Sequence, residues 1–182
     1  HTMALIPLAA LLERIADRVA ASGADSVDDL YRLAGTPEVH RMMRERIGSV
    51  AQVEFAAIVG NDGRLVNTTR SYPAPAIDLA DREYVRAHAS DPALAVHLSS
   101  PVRNRVDGRW AFFLSRKIAG RSGQPIGVLI AGVSVGFFER FYRRINIDEA
   151  QATISLYRGD GVLLARIPRR EEFLGRSFAD ST

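Results

Sequence analysis

The sequence predicts an α+β fold: helices first, then a five-stranded antiparallel sheet, then the opening of a second sheet-based module. Three observations predict it. The first is a phrase that occurs twice. Ile58 to Val66 reads IVGNDGRLV and Leu156 to Leu164 reads LYRGDGVLL. Each is an apolar run, an Asp-Gly turn and a second apolar run, a strong hairpin signal because glycine tolerates positive φ. The second is the spacing of Leu5, Leu8, Leu12, Ile15 and Val19, which repeats every three or four residues and marks one face of a helix. The third is a set of apolar runs between residues 95 and 134, separated by Asp107-Gly108 and by Gly120 to Pro125. Runs of that length between glycine turns read as strands.

The elements follow in order. His1 and Thr2 ahead of Met3 read as a cloning remnant and are set aside. The first helix ends at Ser22-Gly23. Its narrow seam suits either a dimerising signalling helix or a helix packed on its own domain. Ser26 followed by Asp29 resembles a capping box and starts a short helix to Leu33. Thr36-Pro37 starts another, since proline suits the first helical position, and Val39, Met43, Ile47 and Val50 give it an apolar stripe. Strands are expected at Val53 to Val59, Leu65 to Thr69, Ala95 to Arg103, Trp110 to Ile118 and Ile126 to Ser134. A loop with Pro73 and Pro75, then a short helix from Arg82 to Ala89, interrupts them after the second strand. Gly136 to Ile145 is an amphipathic connecting helix, and a second module begins at Ala152. The expected domains are 4–49 for the N-terminal helices, 50–135 for the first module, 136–149 for the connector and 150–182 for an incomplete second module. The early helices would cover one sheet face. The proline loop and short helix would fold over the other and close a cavity, the usual place for a small-molecule site.

Composition narrows the functional classes. Apolar residues make up 47% of the 182 residues, enough for a normal core. The net charge is +3, and Lys117 is the single lysine among 24 basic residues. Arginine could bind phosphates, but acidic residues are interspersed throughout and no long basic block exists, so nucleic acid is not an expected partner. There is no cysteine, which excludes disulfides and thiol chemistry. Neither Met3 to Leu12 nor Pro125 to Phe138 reaches the roughly 20 apolar residues of a membrane span, so the chain as given is expected to be soluble. His40, His88 and His97 show no metal-ligand spacing, and no nucleophile elbow or zinc motif occurs. No enzyme activity, metal or cofactor is expected.

Several short motifs occur in a recognisable order: Asp78-Leu-Ala-Asp81-Arg82-Glu83-Tyr84, the strand Trp110-Ala-Phe-Phe-Leu-Ser115-Arg116, Gly127-Val-Leu-Ile-Ala, and the second hairpin ending Leu163-Leu-Ala-Arg-Ile-Pro168. Together they resemble double Cache domains, PAS-like modules also called PDC sensors. The resemblance spans roughly residues 4 to 180. It implies an extracytoplasmic, periplasmic sensing domain held between two transmembrane helices of a bacterial histidine kinase, diguanylate cyclase, phosphodiesterase or chemoreceptor. It also implies that the membrane-distal module, residues 50–135, binds the ligand noncovalently. The entry helix would dimerise the receptor. The alternative is a non-binding dimerisation module of the same kind of receptor. Family members that bind amino acids carry an Arg-x-Trp-Tyr motif at the short helix and an Asp late in the fifth strand. Here Arg82 matches the Arg, Tyr84 replaces the Trp, Val85 replaces the Tyr, and Ala131-Gly132-Val133 stands near the Asp position. The carboxylate-binding half is present and the ammonium-binding half is missing, which points to a small carboxylate or another anion.

Six residues are candidates for the site. Arg82 could grip a carboxylate bidentately, or could pair with Asp78 or Asp81. Tyr84 could offer its hydroxyl, or could pack on the sheet. Trp110, Phe112, Leu114 and Arg116 alternate and so share one face. If that face lines the cavity, Trp110 and Phe112 are walls and Arg116 a second anion contact. If it faces the helices, they are core. The cavity side is the expectation taken here. Ser99 on the third strand could add a hydroxyl.

Overall fold

In a computed structural model, residues 5–105, 107–144 and 153–179 are described. Helix α1 (Ile6–Ala20) forms where the seam predicts it, with Pro7 in its first turn, where a missing N–H costs nothing. Its seam is covered by its own sheet: Leu8, Leu12 and Ile15 are wholly buried and Val19 nearly so. Of the two readings that the spacing allowed, the seam thus takes the one in which it packs on its own domain. Glu13, Arg14, Asp17 and Arg18 form its exposed side. Helix α2 (Val27–Ala34) is capped by Ser26, whose hydroxyl accepts the Asp29 N–H at 3.0 Å. Helix α3 (Pro37–Ile47) is capped by Thr36, which accepts the Val39 N–H.

Strands β1 (Val53–Gly60) and β2 (Leu65–Thr68) form the first hairpin. Its turn closes with the Gly63 N–H donating to the Gly60 carbonyl, and Gly63 takes φ +82°. A side chain there would also strike the backbone of Ala80, 2.5 Å from a Cβ, so both conformation and space demand glycine. After a loop comes α4 (Glu83–Ser90), one residue displaced from its predicted span. The predicted third strand is split into β3 (Val96–Leu98) and β4 (Val102–Arg103). The reason lies at Ser99. Its hydroxyl, rather than a backbone carbonyl, accepts the Phe113 N–H at 2.9 Å, and Pro101 has no N–H for a ladder. The long strands β5 (Trp110–Ala119) and β6 (Pro125–Ser134) complete the sheet, which runs β2-β1-β6-β5-β3 with antiparallel neighbours and β4 paired to β5.

The connecting helix is α5 (Val135–Arg144), where Phe138 stacks on Phe112. The end of its predicted span, Ile145, and the predicted module start at Ala152 lie outside the described residues. The second hairpin is β7 (Ile154–Tyr157) and β8 (Leu163–Ile167), a separate two-stranded sheet. The repeat extends beyond the hairpin. In the first module a return segment bridges Arg64 to Asp78, and the Leu79 N–H donates to the Gly63 carbonyl. In the second, Val162 bridges Ser177, and the Phe178 N–H donates to the Gly161 carbonyl. Gly161 has φ +83° and abuts Ala179, as Gly63 abuts Ala80. Both hairpins therefore carry the same kind of strap laid over the turn.

Each sheet face carries its own core. Ala56, Ile58, Phe112, Leu114, Leu129 and Val133 pack on the helices α1–α3 and α5. Phe55, Ala57, Val59, Ala111, Phe113, Val128 and Ile130 face α4 and the strap with Tyr84 and Val85.

Candidate functional site

The strap between β2 and α4 does not lie flush on the sheet. Beneath it is a cavity of about 100 Å³. Its floor is Phe55, Ala57, Phe113 and Ile130, and its roof is Pro75, Ile77 and Leu79. The space exists because Ala57 is small where the strap stands off the sheet, and a larger side chain there would fill it. Polar groups enter from Thr68, Ser71, Asn104 and Tyr84, and positive charge from Arg70, Arg82 and Arg105. No Asp or Glu lines the cavity among the described residues.

The three arginines differ in what else holds them. Arg70 stacks on the Phe55 ring at 4.2 Å and pairs with Asp107 at 3.1 Å. Arg105 pairs with Asp81 and donates to the Asp78 carbonyl at 2.9 Å. Arg82, at the N-cap of α4, forms no ion pair among the described residues, so its guanidinium is the uncommitted one. Tyr84 is 3% exposed, with its ring 5.1 Å from that of Phe113. Burial pushes its hydroxyl up to about 12, so it stays a neutral hydrogen-bond donor at any physiological pH.

The structure thus brings Arg82 and Tyr84 to the cavity and leaves the other four candidates elsewhere. Trp110, Phe112 and Arg116 point to the opposite face, which corrects the expectation that they line the site. Phe112 is wholly buried against Phe138. Arg116 pairs with Glu13 of α1 at 2.8 Å. Trp110 packs on the helix-side core and carries Arg103 over its ring at 5.1 Å. The physical reason is parity: Ala111 and Phe113, not their neighbours, face the strap. Ser99 is buried but spends its hydroxyl on the Phe113 N–H and the Ser100 carbonyl, so it is a structural bridge and not a lining residue. Sequence reasoning missed Arg70, Arg105 and Phe113.

The described histidines, His40, His88 and His97, are held by protein groups. His40 Nδ1 contacts the Thr68 carbonyl at 2.7 Å. His88 is buried, with Nε2 3.0 Å from the Ser115 hydroxyl and Nδ1 3.2 Å from the Leu94 carbonyl. Burial lowers its basicity. His97 Nε2 lies 3.0 Å from the Glu83 carboxylate. Among the described residues no group of three metal-ligating side chains converges.

Comparison with known proteins falls to structure, since the chain matches no family profile and no curated protein. Its backbone is similar to the extracellular domain of a protein described as a histidine kinase, with a TM-score of 0.77 and 25% identity over 98% of this chain and 68% of that one. It is also similar to the ligand-binding domain of the Pseudomonas aeruginosa amino acid chemoreceptor PctB, solved with L-Gln, at a TM-score of 0.66 and 20% identity over 98% of this chain and 66% of that one. The chain has the fold of an extracellular sensor domain. A third sensor of this fold, the Pseudomonas fluorescens chemoreceptor CtaA with L-isoleucine, gives a TM-score of 0.60 at 15% identity, over 97% of this chain and 66% of that one. The chain spans about two thirds of the length of these sensor domains. Among the described residues no helix is long and apolar enough to cross a membrane.

Proposed function

We propose that this chain is the ligand-sensing part of a membrane-tethered receptor of the double Cache class, lying outside the cytoplasm, and that it binds a small carboxylate or similar anion under the strap. The observation that carries this reading is the cavity itself: apolar walls, three arginines, and no Asp or Glu among its described lining residues. Such a site favours one negative charge on a short apolar body. Its free volume of about 100 Å³ restricts the ligand to a small acid. An amino acid fits poorly, because its ammonium would be desolvated without a counter-charge. Arg82 is the anchor, since Arg70 and Arg105 already serve carboxylates of the protein.

The repeat supports placing the site in the first module. The second strap reads Phe178-Ala179-Asp180 where the first reads Leu79-Ala80-Asp81, and Ser181 follows where Arg82 stands. The anchor arginine is present in one copy only. Recognition needs no chemistry: a ligand that binds two arrangements of the strap with different affinity shifts their populations. The output is proposed to be a histidine kinase or a diguanylate cyclase, with the kinase supported by the 25%-identical structure.

A thermal-shift screen of acetate, propionate, butyrate, pyruvate and the free amino acids tests this. A ligand present at 100 times its dissociation constant adds about 2.7 kcal/mol of stability. Monocarboxylates should raise Tm, amino acids should not, and Arg82→Ala should abolish the rise while leaving the unliganded Tm unchanged. A screen flat for every acid would overturn the reading.

A further inference from the structure

Helix α4 carries the two cavity residues Arg82 and Tyr84 on either side of Glu83. Glu83 turns away from the cavity. Its Oε1 accepts from His97 Nε2 at 3.0 Å and from Arg158 Nη1 at 3.2 Å, and its Oε2 accepts the Ser100 N–H at 3.0 Å. Arg158 belongs to the second hairpin, at the start of its Asp-Gly turn. The same Nη1 donates to the Leu98 carbonyl at 2.7 Å, and Asp160 holds the other side of the guanidinium through Nε and Nη2, at 2.9 and 2.8 Å. The pair is sheltered, with Arg158 20% and Glu83 33% exposed. The other ion pairs of the C-terminal segment touch other elements: Arg169 with Glu139 of the connecting helix α5, and Glu171 with Arg103 of β4. Among the described ion pairs, Glu83–Arg158 is therefore the one that joins the helix over the cavity to the second module.

We propose that the Glu83–Arg158 pair couples α4 to the second hairpin, so that the position of the ligand helix is read by the next module through this contact. The role of that position in reporting occupancy rests on the functional reading above; the coupling itself does not. The argument is geometric. Glu83 sits between two residues of the cavity on one helical turn, so its carboxylate cannot stay fixed while they move. Three donors hold that carboxylate, and charge-assisted hydrogen bonds weaken steeply with misalignment. The four-way contact with His97, Ser100 and Arg158 is consequently made or broken as a unit. Arg158 is itself clamped by Asp160 and the Leu98 carbonyl, so displacement passes to the turn of the hairpin and is not absorbed by a loose side chain. The strong lowering of the Glu83 pKa, to about 2, fits a carboxylate that relies on these donors, His97 first. Coupling between sites is reciprocal, so disturbing Arg158 must loosen α4 as surely as disturbing α4 loosens the hairpin.

Hydrogen exchange on the whole chain tests this without a ligand. Arg158→Gln should speed exchange of residues 83–90 at least fivefold, and Arg158→Lys should restore part of the protection. Arg169→Gln serves as the control, since it breaks an ion pair to the connecting helix α5 that does not touch α4. It should leave 83–90 unchanged. If Arg158→Gln affects only residues 154–167, or if Arg169→Gln accelerates α4 equally, the coupling is refuted. A propionate arm keeps the two readings apart. In wild type, propionate should slow exchange in both 83–90 and 154–167, and in Arg158→Gln in 83–90 alone. Protection of neither segment by propionate counts against the anion site and not against the coupling. Protection of 83–90 alone in wild type counts against the coupling.

Discussion

Filling the cavity should make the protein more stable and deaf to ligand, an unusual pairing for a core substitution. Ala57 lies in the middle of β1, opposite Ile130 on β6 and Thr68 on β2, and is 1% exposed. Its side chain forms part of the cavity floor. Ala57→Leu adds three carbons. Taken as roughly the ~30 Å³ of a water apiece, they match the free space of about 100 Å³. Burying them contributes at most ~2.4 kcal/mol at ~0.8 kcal/mol per carbon. Fixing the leucine rotamer costs about 0.5–1 kcal/mol, and imperfect fit costs some of the remainder. A net gain of about 1 kcal/mol is expected, read as a rise in Tm of about 2–4 °C for a chain of this length. Urea unfolding should show a higher midpoint with an unchanged slope, because no new surface is exposed. The same variant should lose any carboxylate-induced Tm shift. A destabilisation of 1 kcal/mol or more would mean that the space under the strap is already filled, and the argument from Ala57 would fail.

Other outcomes follow from the same geometry. Phe112→Ala should cost ~3–5 kcal/mol, since the ring is wholly buried against Phe138, yet the folded fraction should keep its carboxylate response because the ring faces the helices. Asn67→Ala should cost about 3 kcal/mol in chemical denaturation. Asn67 is fully buried, its amide donates to the Ala34 and Thr36 carbonyls, and its oxygen accepts the Thr68 N–H, so truncation strands three backbone groups. Acid should weaken the fold in a definite window. The Glu83 carboxylate is held at about 2 in the folded state against an ordinary 4.5, so its contribution is complete above 4.5 and is lost as pH falls toward 2. Glu83→Gln should flatten that part of the stability-versus-pH curve. His88 acts in the same direction at higher pH: its lowered basicity means that stability declines as pH drops below the ordinary histidine value of about 6.5.

What could be read from the chain alone was whatever short-range chemistry decides. Ser26 and Thr36 cap their helices because the cap bond spans three residues. The two Asp-Gly turns form because Gly63 and Gly161 can take positive φ, and the order of strands around them follows. Arg82 and Tyr84 came forward only through the resemblance of their segment to the Arg-x-Trp-Tyr motif. Tertiary packing alone decided which way each surface points. In β5, Phe112 and Phe113 put an aromatic ring on both faces, and β6 is buried on both, so a period of two contains no polar side to break the tie. Docking of α1 on one face and the standing-off of the strap on the other settle it, placing Phe113 in the cavity and Phe112 in the core. The same applies to the α1 seam. Its spacing specifies an apolar stripe, but whether that stripe meets its own sheet or a second chain depends on surfaces far away in sequence. The split of the third strand at Ser99 is likewise a long-range event, since it needs the Phe113 N–H to present itself to a serine hydroxyl.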